Sequence, residues 1–166
     1  MKQVKVLMVC LGNICRSPTA HGVLEALVQK RGLADHILVD SAGTADWNVG
    51  KSPDPRTSKA ALERGYDLRD QRGRQVKVED FYEFDYILPM DRQNLLDLKE
   101  ICPEGFSGHL GLFLEFSRKQ THQEVPDPYQ GGSEDFELVL DLVEEAIDGL
   151  LADILEKHPE IRAHAK

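Results

Sequence analysis

The chain is short of cysteine, of tryptophan and of basic residues. Three cysteines (Cys10, Cys15 and Cys102) in 166 residues are too few for a disulfide framework and point to a reducing, cytoplasmic setting. Lysine and arginine number 20 against 29 aspartates and glutamates, a formal charge of −9. That balance argues against general binding to nucleic acid or to an anionic membrane. No apolar run approaches the roughly 20 residues that cross a bilayer. The amino-terminal apolar stretch is short, alternates with lysine and runs into a glycine-containing turn, so it reads as a buried strand rather than a secretory signal. Six histidines are scattered, none at metal-ligand spacing from another histidine or cysteine. Neither a metal site nor a cofactor is expected.

What is present is the composition of one globular domain, 41% hydrophobic and 30% charged. Residues 4–9 read as a central strand, continuous in apolar character. Ser17 is expected to cap a helix with Pro18 at its first position. Ala20, Val23, Leu24 and Leu27 follow at helical spacing, and Gly32 closes the segment. A second strand fits 36–40, leading into a turn over 41–44 and a loop over 45–56. Asp54-Pro55 starts a helix that ends at Gly65. A third strand fits 84–90, a helix 91–101, and a fourth strand 110–116. After a loop over 117–132, Ser133 is expected to cap the longest helix, with Phe136, Val139, Leu140, Val143, Ile147, Leu150 and Ile154 on its apolar face. Alternating strands and helices predict an α/β fold, a single-domain three-layer α/β/α sandwich around a central four-stranded parallel sheet. Binding sites in such sheets lie beyond the carboxyl ends of the strands, which is where Cys10 falls.

Residues 9–20 read Val-Cys-Leu-Gly-Asn-Ile-Cys-Arg-Ser-Pro-Thr-Ala. A thiol becomes nucleophilic on ionising, and helix amino termini and nearby cations favour the thiolate. Cys10 precedes a helix start, and Arg16 brings a permanent charge that can hold two phosphoryl oxygens at once. Gly12 permits close backbone approach and Asn13 a left-handed turn. The successive amides of Leu11, Gly12, Asn13, Ile14 and Cys15 can then form an anion nest. Ser17 can hydrogen-bond the sulfur and make it a better leaving group. A P-loop nucleotide site needs Gly-Lys-Ser/Thr, and a thioredoxin-like pair needs Cys-x-x-Cys; both are absent.

The stretch from Cys10 to Pro18 closely resembles the phosphate loop of low-molecular-weight protein tyrosine phosphatases. Three further stretches are similar to that family in the same order: Ser-Ala-Gly-Thr-Ala-Asp-Trp at 41–47, Phe-Asp-Tyr-Ile-Leu with Met-Asp at 84–91, and Val-Pro-Asp-Pro-Tyr at 125–129. The resemblance extends over essentially the whole chain and implies a phosphatase domain over residues 1–160. It implies protein tyrosine phosphatase activity with Cys10 as nucleophile, phosphotyrosine-containing proteins as partners, inorganic phosphate as product, and a monomer or weak dimer. A thiolate mechanism wants an acid across the phosphorus from the sulfur. Asp127, held between Pro126 and Pro128, is the candidate. Trp47 and Tyr129 would wall a cleft deep enough for an aryl phosphate, the lesser alternative for Trp47 being a core anchor in a long loop.

Ile14 stands where relatives that resemble arginine phosphatases carry threonine, so it favours phosphotyrosine. Gln130 stands where many animal relatives have a second tyrosine. Gln71 aligns with a histidine that supports the phosphate loop in those relatives. Cys15, beside Cys10 on the loop, either packs beneath it or forms a reversible disulfide that guards Cys10 against over-oxidation. Two other functions compete. An arsenate reductase of the same fold would need a further cysteine pair where only Cys102 is available, and a non-catalytic anion sensor would have no need of Cys10, Arg16, Ser17 and Asp127 together.

Overall fold

The computed structural model describes residues 3–166. Four strands, β1 (Val4–Cys10), β2 (Ile37–Gly43), β3 (Tyr86–Pro89) and β4 (His109–Leu110), form a sheet in the order β2-β1-β3-β4, with every pairing parallel. The helices are α1 (Arg16–Lys30), α2 (Pro55–Glu63), α3 (Asp80–Glu83), α4 (Arg92–Ile101), α5 (Ser133–Lys157) and α6 (Pro159–Arg162). A 3-10 turn covers Phe113–Phe116.

Strand geometry sends successive β1 side chains to opposite faces, and the two cores divide along that alternation. Val4, Val6, Met8 and Cys10 join residues of α1, α2 and α5 in one core. Leu7 and Val9 join Phe81 of α3, Phe84 just after it, Ile87 of β3 and Leu98 of α4 in the other. Helices therefore cover both faces of one sheet, as expected for a three-layer domain.

Helix α5 buries all seven residues of its expected apolar face. Each buried side chain contributes on the order of 2 kcal/mol, so tertiary packing rather than intrinsic propensity holds this helix.

Four expectations change. Helix α1 begins at Arg16 with Cys15 at the cap position, so Ser17 lies within its first turn, its hydroxyl engaged elsewhere. Strand β2 runs on through the residues expected to turn, because Ser41, Ala42 and Gly43 pair with Met8, Val9 and Cys10. The fourth strand has only two residues; most of 110–116 is taken by the 3-10 turn, which buries Phe113 and Leu114 in the first core. Helix α5 begins at Ser133 with Gly132 as its cap residue, and the Asp135 carboxylate accepts the Gly132 N–H at 2.8 Å. The short α3 was not foreseen.

Gly149 allows α5 to lie directly against the 3-10 turn. A Cβ at that position would come within 2.0 Å of the Phe116 carbonyl oxygen. Alanine gains about 1 kcal/mol of helix propensity over glycine, whereas overpacking against backbone costs about 1–3 kcal/mol. We expect Gly149→Ala to lower the urea midpoint, with the clash outweighing the propensity; a raised midpoint would show that the turn yields freely.

Candidate active site

The site occupies the carboxyl end of the sheet, where β1 gives way to α1. Cys10 is the last residue of β1 and Arg16 the first of α1. The five residues between them make the loop. Asn13 takes φ 56° at its centre, the left-handed conformation that asparagine tolerates. The loop presses against the end of β2: Thr44 N donates to Cys10 O at 2.9 Å and Ala45 N to Leu11 O at 3.0 Å. A Cβ on Gly43 would lie 2.8 Å from Leu11 O, so this approach requires glycine.

A cavity of about 300 Å3 opens over the loop, lined by Cys10, Leu11, Gly12, Ile14, Cys15, Arg16, Trp47, Asn48, Lys51, Asp127 and Tyr129. Nine of the eleven residues singled out in the sequence are thus brought together. Asn13 and Ser17 are not among the lining residues. Both are buried and form polar contacts behind the loop, Asn13 Nδ2 donating to Ser17 Oγ at 2.9 Å and to Ser41 Oγ at 3.1 Å. Ser17 Oγ in turn lies 3.0 Å from Cys10 Sγ. Asn13 Oδ1 accepts the Arg74 backbone N–H at 3.0 Å, and the Arg74 guanidinium is held by Asp40 and by the buried Asp80.

Arg16 is 3% exposed. Its Nη1 donates to Asp91 Oδ2 at 2.6 Å and to Val125 O at 3.1 Å, and its Nη2 lies 3.6 Å from Asp127 Oδ2. Burial disfavours the guanidinium charge, but Cys10, Asp91 and Asp127 more than offset it, so the group is held above its usual range. Asp91 also caps α4, its Oδ1 accepting Asn94 N at 2.8 Å. One carboxylate thus fixes a helix start and the catalytic-loop arginine. In the sequence Asp91 marked only the start of a helix, and its pairing with Arg16 was missed.

The segment carrying Asp127 is fixed at both ends. Val125 N donates to Met90 O at 2.9 Å, and Arg56 Nη2 donates to Tyr129 O at 3.0 Å while paired with Asp54. Between these ties Asp127 Oδ1 accepts Tyr129 N at 3.1 Å, an Asx turn that leaves the other oxygen toward Arg16. Asp54 was legible only as the cap of α2. Trp47 is 66% and Tyr129 49% exposed, so Trp47 stands at the mouth of the cavity and does not anchor a core. Gln71 donates to Pro18 O at 3.1 Å and does not reach Asn13, Ser17 or Ser41.

Cys15 is buried in the cavity floor. Burial foremost, with the negative charges of Asp54, Cys10 and Asp127, pushes its thiol up to about 12. Two cysteines on one loop therefore sit in different environments. The neutral form of Cys15 is favoured, whereas Cys10 faces Ser17 Oγ at the head of α1.

Comparison with known proteins agrees with this geometry. The sequence model of the low molecular weight phosphotyrosine protein phosphatases matches residues 5–160. A low molecular weight phosphotyrosine protein phosphatase of Schizosaccharomyces pombe is 42% identical over 136 residues, which cover 81% of this chain and 86% of that protein. The crystal structure of a protein tyrosine phosphatase from Entamoeba histolytica superposes with a TM-score of 0.90 at 38% identity, covering 93% of this chain and 99% of that one. A Drosophila arginine phosphatase superposes with a TM-score of 0.85 at 34% identity, covering 91% and 98%. A cysteine-and-arginine loop at the end of a parallel sheet, matched in sequence and in fold along nearly its whole length, places this chain in the low molecular weight phosphotyrosine protein phosphatase family.

Proposed function

We propose that this protein tyrosine phosphatase hydrolyses phosphotyrosine through a phosphocysteine on Cys10, with Arg16 as phosphate clamp and Asp127 as general acid and base. The observation that carries the reading is the convergence on one cavity of Cys10, the buried Arg16 and the Asp127 of a distant loop. In the first step the Cys10 sulfur attacks phosphorus, the S–P bond forms and the P–O bond to the tyrosine oxygen breaks. Asp127 gives its proton to the departing oxygen. In the second step Asp127, now a carboxylate, takes a proton from water as the water oxygen attacks phosphorus. The S–P bond breaks, phosphate leaves and the Ser17 hydroxyl stabilises the returning thiolate from 3.0 Å.

Arg16 and the loop amides hold the equatorial oxygens throughout, in a site that is already organised around them. Asp127 Oδ2 stands 3.6 Å from Arg16 Nη2. An arriving phosphoryl group takes over that guanidinium contact.

Trp47 and Tyr129, exposed at the mouth, supply flat apolar walls for the aryl ring of phosphotyrosine-containing proteins. Ile14 lines the floor and supports an aryl over a guanidino phosphate. No helix among the described residues is long and apolar enough to cross a membrane. A cytoplasmic setting accords with the free thiols, which include Cys10 at the site. Cys15 serves as a guard: peroxide converts Cys10 to the sulfenic acid, and the Cys15 thiol then forms the disulfide with loss of water.

Cys10→Ser is expected to abolish p-nitrophenyl phosphate hydrolysis. Asp127→Ala should lower kcat by about 10²–10⁴-fold while phosphate inhibition stays within a few-fold. Normal turnover by Cys10→Ser would overturn the mechanism. On a peptide panel, phosphotyrosine should be cleaved in preference to phosphoserine and phosphoarginine, with no arsenate reduction; a phosphoarginine preference would reassign the substrate.

Because burial pushes the Cys15 thiol up to about 12, iodoacetamide at pH 7 should label Cys10 and spare Cys15, as read by peptide mass spectrometry. After a peroxide pulse, dithiothreitol should restore more activity to the parent enzyme than to Cys15→Ala. Equal recovery would remove the guard role.

A further inference from the structure

Behind the phosphate loop a hydrogen-bond chain leads away from the nucleophile and ends on a helix-borne pair that the reaction cycle does not use. From Cys10 Sγ it passes to Ser17 Oγ (3.0 Å), Asn13 Nδ2 (2.9 Å) and Ser41 Oγ (3.1 Å). From Ser41 Oγ it continues to His21 Nδ1 at 3.2 Å, and from His21 Nε2 to Glu25 Oε2 at 3.2 Å. His21 and Glu25 lie one turn apart on α1, the spacing at which helical side chains meet.

We propose that His21, oriented by Glu25, is a positioning residue for the phosphate loop and sets the direction of the Ser17 hydroxyl toward Cys10. The inference rests on Cys10 being the nucleophile. Donor and acceptor counting gives it direction. The Asn13 amide has two N–H donors, and both are committed, one to Ser17 and one to Ser41. Each serine oxygen therefore accepts from Asn13 and has its own proton to give. In the tautomer that donates from Nε2 to Glu25, Nδ1 accepts the Ser41 hydroxyl. Ser41 then both donates and accepts, and holds Asn13 in place. The Asn13 amide in turn occupies a lone pair of Ser17, whose proton points to the sulfur at 3.0 Å in preference to the Ala42 carbonyl at 3.4 Å.

The chain is sealed from solvent at the sulfur end, where Ser17 is fully buried and Asn13 is 3% exposed. At the other end His21 opens on a surface cleft that Glu25, Asp40, Asp67, Asp70 and Arg72 also line. Gln71 borders the same cleft, but its Nε2 is bound to Pro18 O and its buried Oε1 has no hydrogen-bond partner. The imidazole of α1 therefore terminates the chain.

A Ser17 proton aimed at sulfur matters most when the thiolate leaves, so the effect belongs in kcat and in breakdown of the phosphoenzyme. With p-nitrophenyl phosphate, His21→Ala should lower kcat about ten-fold, the worth of one buried hydrogen bond. KM should fall or stay level, and a larger pre-steady-state nitrophenol burst should appear. His21→Asn places an amide oxygen near the Nδ1 position and should restore most of kcat. His21→Leu fills the space without an acceptor and should not. Because both act through one chain, His21→Ala added to Ser41→Ala should cost no further kcat.

Thermal unfolding and phosphate binding of each variant establish that the loop remains folded. Equal rates for His21→Ala and the parent would overturn the proposal. So would equal loss in His21→Asn and His21→Leu, or additive loss in the double variant. If Cys10→Ser is inactive while His21→Ala is unaffected, this inference fails and the cysteine mechanism stands.

Discussion

The contact on which the rest of the site depends is the ion pair between Arg16 and Asp91. It joins the first residue of α1 to the cap of α4 across the carboxyl ends of β1 and β3. With Arg16 3% exposed, the pair is shielded, and removing either partner would strand the other's charge. The second tie of Arg16, to Val125 O, brings in the segment that carries Asp127. Helix start, clamp and general-acid loop are thus located by one guanidinium. Its charge, favoured by the acidic groups around it, is available to a phosphoryl group that takes over its contact with Asp127.

The loop divides its work between two faces. The front, with Cys10, Cys15, Arg16 and the aromatic rim, lines the cavity. The back, with Asn13, Ser17 and Ser41, is buried and hydrogen-bonded. Position 13 needs an asparagine on both counts: its backbone takes the left-handed turn, and its amide satisfies three partners at once. A buried polar network of this kind stabilises only when every member is satisfied. The supports under the loop, Arg74 with Asp40 and Asp80, extend that requirement outward to β2 and α3.

The parallel sheet was legible because β1, β2 and β3 carry apolar residues between helices of clear period, and the apolar face of α5 was read residue for residue. The errors came where a local signal had a second explanation. Ser17-Pro18 has the form of a cap, but the hydroxyl is used by Cys10 and Asn13, so the helix starts at Arg16. The apolar content of 110–116 suggested a strand, whereas Phe113 and Leu114 reach the core from a 3-10 turn. Asp54 was read as a cap and Asp91 only as the start of a helix, and neither reading revealed the anchoring of Arg56 and Arg16. His21 carried no signal, since a lone histidine on a helix becomes informative only when folding brings Ser41 of β2 beside it.

The central claim is that Cys10 itself carries the phosphoryl group between the two chemical steps. Acid quenching of Asp127→Ala within the first turnover of p-nitrophenyl phosphate, followed by peptide mass spectrometry under conditions that preserve thiophosphate esters, tests it most directly. One phosphoryl group on Cys10, with Cys15 and Cys102 unmodified, is the predicted result. Phosphate on another residue, or nitrophenol release with no phosphorylated peptide, would contradict the account.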